Sequence, residues 1–168
     1  MLSIRITPTS TKKPKPDERH LGFGVHYTDH MLIVDHDEAL GWHNARIVPY
    51  QPLTLDPAAM VFHYAMESFE GLKAYRTPSG DIQLFRPEKN AQRMINTNAR
   101  MCLPALSVED FVQCVKAIVT MEKDWVPHQE GTSLYIRPFV IATEPHLGVR
   151  TSQTHQFIII CSPVGAYY

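Results

Sequence analysis

The chain has 168 residues, 44% of them hydrophobic and 20% charged, with 16 basic against 17 acidic side chains. That length can bury a core of ordinary size in one domain, and the apolar share excludes wholesale disorder. A net charge of −1 offers no field to nucleic acid or to an anionic membrane, so neither is an expected partner.

Residues 1–19 begin MLSIRITPTSTKKPKP, whose Pro and Lys content reads as a mobile arm preceding a domain over residues 20–168. No apolar run of secretory length follows the basic residues, although organelle targeting stays open. The longest apolar stretches, such as Phe157 to Cys161, are too short to span a bilayer. Cys102, Cys114 and Cys161 are odd in number and form no CxxC pair. A reducing, cytoplasmic setting suits them better than a disulfide scaffold.

From Val25 the run VHYTDHMLIVD predicts a hairpin or two short strands around Thr28–His30. Pro49, Pro52 and Pro57 then break any long helix and leave a short strand near Ala45–Val48 among loops. Asp56 before Pro57 predicts a helix start, and AAMVFHYAMESF would place Phe62, Met66 and Phe69 on one stripe, ending at Gly71. LKAYRT and IQLF flank Pro78-Ser79-Gly80-Asp81 as a hairpin. A second helix starts at Pro87, turns Ala91, Met94 and Ile95 inward, and stops before Pro104. Ser107 and Asp110 form a capping pair for a third, with Val108, Phe111, Val115, Ile118 and Val119 on its inner face. SLYIRPFVIAT and HQFIIICS close the chain as two strong strands. The sum is an α+β fold, with about three helices against one mainly antiparallel sheet.

Chemistry is sparse in the motifs. HExxH, GxSxG, a P-loop and GxGxxG are all absent from the sequence. His26 and His30 lack a third ligand nearby, and Asp35-His36-Asp37-Glu38 reads as solvated turn residues. The arginines are more informative. Arg137 lies in the apolar strand SLYIRPFVI, on the same face as Tyr135. A charge there implies either an inward acidic partner or an anionic ligand. Arg93 is an exposed helical residue unless its head turns inward, in which case it needs an anion. Arg86 reads as a surface residue at a helix start. Tyr64, Tyr135 and Tyr167 are core aromatics or, with their hydroxyls satisfied, pocket walls.

FHYAMESFEGLKAYR, LFRPEKNAQRM, DWVPHQEGTSLYIRP, EPHLGV and CSPVGAYY, in this order, resemble the branched-chain amino acid aminotransferases, pyridoxal-phosphate enzymes of fold type IV. The likeness runs from about Phe23 to the last residue. It implies the small N-terminal domain of a homodimeric enzyme whose cofactor lies between this domain and a larger one. Such an enzyme moves the amino group of Leu, Ile or Val to 2-oxoglutarate. By the same resemblance, Arg93 matches the arginine that binds the phosphate of pyridoxal 5′-phosphate. Phe23, Phe69 and Tyr135 match the pocket around the substrate side chain, and Tyr167 matches another residue of its lining. Arg137 matches the arginine that positions the tyrosines and the polar end of the substrate. Tyr64, Leu147 and Val149 match residues that reach the neighbouring subunit's site. The Schiff-base lysine of the family lies beyond the PVGAY motif, and Lys73 does not match it. This polypeptide alone is therefore expected to be inactive. A D-amino acid transaminase, an aminodeoxychorismate lyase and a non-catalytic interaction protein are the alternatives.

Overall fold

Two apolar runs make the centre of the sheet. Met31–Val34 lies in β2 (His30–Asp37), and Phe157–Cys161 lies in β8 (Thr154–Val164). The computed structural model describes residues 1–165. Its other strands are β1 (Arg5–Ile6), β3 (Gly41–Pro49), β4 (Glu67–Phe69), β5 (Leu72–Arg76), β6 (Ile82–Leu84) and β7 (Ser133–Ala142). The helices are α1 (Met60–Tyr64), α2 (Pro87–Met101) and α3 (Val108–Met121). The sheet order is β1-β3-β2-β8-β7-β5-β6, with β4 also paired to β7. All pairings are antiparallel except β1 with β3. The expected α+β class and antiparallel sheet are what the chain forms. No helix among the described residues is long and apolar enough to cross a membrane.

Helices α2 and α3 cover one face of the sheet. Ala91 and Met94 of α2 and Phe111, Val115 and Ile118 of α3 join Leu32, Val34, Ile47, Leu134, Ile136, Phe157 and Ile159 in one buried cluster. Ser107 caps α3 as its pattern predicts, its Oγ accepting from the Asp110 amide at 3.0 Å. The opposite face carries a smaller cluster around Met31, Ile33, Ile141 and Ile158, with Tyr50, Leu55 and Val61 packed against it.

Three expectations need correction. The helix after Pro57 is five residues long, because Ala65 adopts φ 48° and ψ 39° and turns the chain left-handed. Glu67–Phe69 then pair with Phe139–Ile141 of β7. Sheet hydrogen bonds outweigh a weak local preference for helix, and Phe62 and Phe69, expected on one stripe of that helix, are both exposed. Asp35, His36 and Asp37 belong to β2 rather than to a solvated turn; Asp35 takes hydrogen bonds from Arg46, Asn44 and Gln156. The strand expected only near Ala45–Val48 extends over all of β3.

Residues 1–19 are laid along the domain. Leu2 exchanges two hydrogen bonds with the Gln113 side chain at 3.0 and 2.9 Å, and β1 pairs with β3. The Thr9 amide donates to His30 Nε2 at 2.8 Å, so the imidazole proton sits on Nδ1, facing Glu122. The Lys13 amide donates to Asp29 Oδ1 at 2.8 Å. Buried Glu122 also accepts from the Asp29 amide, and burial raises its pKa.

Candidate functional site

Strand register gathers the site. On β7, Tyr135, Arg137 and Phe139 face away from α2 and α3, while Leu134, Ile136 and Val140 enter the core between helices and sheet. The partner of β7 on one side changes along its length. Leu72–Ala74 of β5 pair with Leu134–Ile136, and Glu67–Phe69 of β4 pair with Phe139–Ile141. Glu70 and Gly71 bridge the break, held by the Glu70 amide donating to Pro138 O at 2.8 Å. Gly71 lies so close to the Tyr135 hydroxyl that a Cβ would collide with it. Only glycine fits there without displacing Tyr135.

Of the two readings of Arg137, an acidic partner or an anionic ligand, the first is not met within the described residues. Its Nε and Nη2 donate to the Tyr135 hydroxyl at 3.2 and 2.9 Å, and its guanidinium lies 4.3 Å from the Phe69 ring centre. Among the described residues no carboxylate forms an ion pair with it. Phe23 packs on Tyr135 with ring centres 4.9 Å apart. Phe23, Tyr27, Tyr135, Arg137, Ile160 and Ser162 surround a cavity of about 210 Å³. The buried Ser162 Oγ has no hydrogen-bond partner among the described residues. A second cavity of about 280 Å³ lies on the other side of Tyr135, beside Lys73, Phe85 and Asn90. Register sets Lys73 opposite Tyr135, so it shares this face.

Arg93 stands on α2 at the rim of the sheet, with its side chain 63% exposed. Its Nε donates to Glu70 Oε1 at 2.8 Å and its Nη2 to Glu70 Oε2 at 2.6 Å. Those hydrogen bonds, and then the opposite charge of Glu70, raise the guanidinium pKa further. A guanidinium has five N–H donors, and only two of these face Glu70. The Nη1 hydrogens are unengaged among the described residues, so the end of the fork remains open to an anion.

The structure thus brings Phe23, Phe69, Tyr135 and Arg137 together, with Arg93 around the Glu70-Gly71 corner. Tyr64 and Leu147 form a separate pair, the Tyr64 hydroxyl donating to the Leu147 carbonyl. Val149 is 84% exposed on the same loop. That loop is fastened to the start of α1, since the Met60 amide donates to Glu144 O and the His146 amide to Ala58 O. Tyr167 lies outside the described residues. Glu70, Asn90 and Ser162 are absent from the sequence-based set. Glu70 had a signal in SFEGL, where an acid stands alone in an apolar run just before a glycine. Ser162 had none.

No protein-family model matches the chain. It is 54% identical over 166 residues to branched-chain-amino-acid aminotransferase 2 of Bacillus subtilis (strain 168), which covers 99% of this chain and 46% of that protein. Branched-chain-amino-acid transaminase 1 of the same organism is 54% identical over 156 residues, or 93% of this chain and 44% of the relative. The chain is homologous to part of the branched-chain aminotransferases. It spans about half the length of the curated relatives it matches. Solved branched-chain aminotransferases share the fold. One solved with pyridoxamine 5′-phosphate superposes with a TM-score of 0.62 at 23% identity, over 81% of this chain and 40% of that one. The Escherichia coli enzyme gives 0.59 at 17% identity, over 82% and 41%.

Proposed function

We propose that this chain forms the small domain of a branched-chain aminotransferase and supplies one wall of its active-site crevice. The observation that carries the reading is the placement of two arginines on either side of an uncovered aromatic sheet surface: Arg93, whose Nη1 hydrogens are unengaged beyond its Glu70 pair, and Arg137, which has no carboxylate partner among the described residues. Homology at 54% identity supports the same assignment.

The donor set fits pyridoxal 5′-phosphate at its phosphate end. Arg93 presents a free fork edge, the geometry a phosphate accepts in bidentate fashion. When bound, the cofactor supplies the electron sink and the amino-group carrier. The residues of this chain do the rest of what is assigned here. Phe23, Phe69 and Tyr135 wall the apolar part of the crevice, where each buried methylene of a Leu, Ile or Val side chain adds about 1–3 kcal/mol of discrimination. Arg137, fixed by the Tyr135 hydroxyl, meets the polar end of the second substrate, 2-oxoglutarate. Tyr64 at the end of α1, with Leu147 and Val149 on the loop bonded to it, projects toward a second subunit of a homodimer. The working compartment is the cytoplasm.

The test joins this chain to the remaining length of the Bacillus subtilis relative. The joined enzyme is expected to transfer the amino group of L-leucine to 2-oxoglutarate. Arg93→Ala should then weaken pyridoxal 5′-phosphate binding roughly 10- to 100-fold, the loss of charge-assisted hydrogen bonds. A folded joined enzyme that uses D-alanine and not L-leucine would overturn the reading.

A further inference from the structure

The Glu70 carboxylate is 6% exposed, yet it faces a guanidinium that is mostly exposed. Both its oxygens are engaged: Oε1 accepts from Arg93 Nε, and Oε2 accepts from Arg93 Nη2 and from Asn90 Nδ2 at 2.9 Å. Asn90 precedes Arg93 by one helical turn, and its Nδ2 also reaches Gly71 O at 3.1 Å. The Glu70 backbone is tied to β7 through Pro138 O. The contact therefore runs from the central sheet, through a buried acid, to one edge of the arginine fork.

We infer that Glu70 is a positioning residue for the anion site at Arg93. It grips the Nε–Nη2 side of the guanidinium and turns the Nη1–Nη2 end outward for a phosphate. The inference rests on the reading of Arg93 as the phosphate ligand and extends it to the group that aims it.

Two physical effects oppose each other here, which makes the sign of the outcome decisive. A carboxylate beside the site lowers the local positive potential and by charge alone disfavours a phosphate. A fork held in one orientation loses less side-chain entropy on binding and presents two parallel donors. If orientation wins, removing Glu70 weakens phosphate binding even though a negative charge has gone. If charge wins, binding strengthens.

The measurement uses the whole 168-residue chain, following the Arg93 Nε–H signal by NMR while adding pyridoxamine 5′-phosphate or unphosphorylated pyridoxamine. The wild-type signal should respond to the phosphorylated compound and not to the other. Glu70→Gln should weaken that response about tenfold, and Asn90→Ala should weaken it less, with pyridoxamine unaffected throughout. Asn90→Ala keeps the test open if the buried acid proves necessary for folding. Phosphate affinity that is unchanged or higher in the folded variants would overturn the role of Glu70. A wild-type Arg93 signal that ignores the phosphorylated compound would instead overturn the reading of Arg93, and the inference with it. As a further check, Glu70→Gln should add no loss, measured by ligand-detected NMR, to a chain already carrying Arg93→Ala.

Discussion

His155 faces His36 across β8 and β2, with ring centres 5.4 Å apart, and neither of its buried nitrogens has a hydrogen-bond partner among the described residues. Burial, and then the neighbouring His36, hold its pKa down to about 4. A histidine in the unfolded chain protonates near 6.5. The stability that rests on neutral His155 is therefore complete above about pH 6.5 and is lost as pH falls from there toward about 4. The loss should reach about 2–3 kcal/mol. Urea unfolding at pH 7 and pH 4.5 checks it: His155→Leu should flatten the dependence, and an unchanged slope would contradict this account. Single residues are legible in sequence only where their partners are close in the chain. Tyr135 and Arg137, two positions apart on one strand, fall on one face by alternation alone. Glu70 and Arg93 are 23 positions apart, in a strand junction and a helix, and no periodicity links them. Arg137 is expected from sequence to face an acid or an anion, and its in-chain partners turn out to be a phenol and a phenyl ring.

At the scale of elements, legibility follows the strength of local signals. The boundaries of α3 can be read because Ser107 and the Phe111, Val115, Ile118 stripe agree on where it begins and which way it faces. That agreement has a measurable counterpart: Ser107→Ala should lower stability by about 1 kcal/mol, read from denaturant unfolding at neutral pH, with Ser107→Asp restoring most of it. The sequence around α1 misleads because AAMVFHYAMESF has a helical apolar period, whereas its second half serves β7. The pairing of Glu67–Phe69 with Phe139–Ile141 depends on residues far down the chain, which no local window can contain. The contacts of the N-terminal arm are hidden from sequence for a related reason. Its lysines and prolines describe a solvated segment, but Thr9 and Lys13 bind through backbone amides, which composition does not report.

On the scale of the whole molecule, the two sheet faces are unequal. Helices seal one, while the other leaves Phe69 60% exposed near Arg137 and carries exposed Leu147 and Val149 on the adjoining loop. An uncovered apolar area of this kind marks an interaction surface. The 168-residue chain by itself should self-associate as its concentration rises, with light scattering showing a mass above 19.2 kDa. Phe69→Ser with Val149→Ser should reduce the association. A clean monomer of the unaltered chain at high concentration would count against the surface being adhesive.

The placement of β8 has a consequence for how the molecule comes to be made. It is the last of the described strands in chain order, yet it lies between β2 and β7 at the middle of the sheet. During synthesis the β2–β3 ribbon and the β5–β6 hairpin with α2 and α3 emerge first, and although α3 packs on β2, the two sets of strands have unsatisfied edges. They cannot be hydrogen-bonded into one sheet until residues 154–164 leave the ribosome and insert between β2 and β7. Folding of the sheet is thus a late closing step of high contact order, slow by nature and open to wrong edge pairing while it waits.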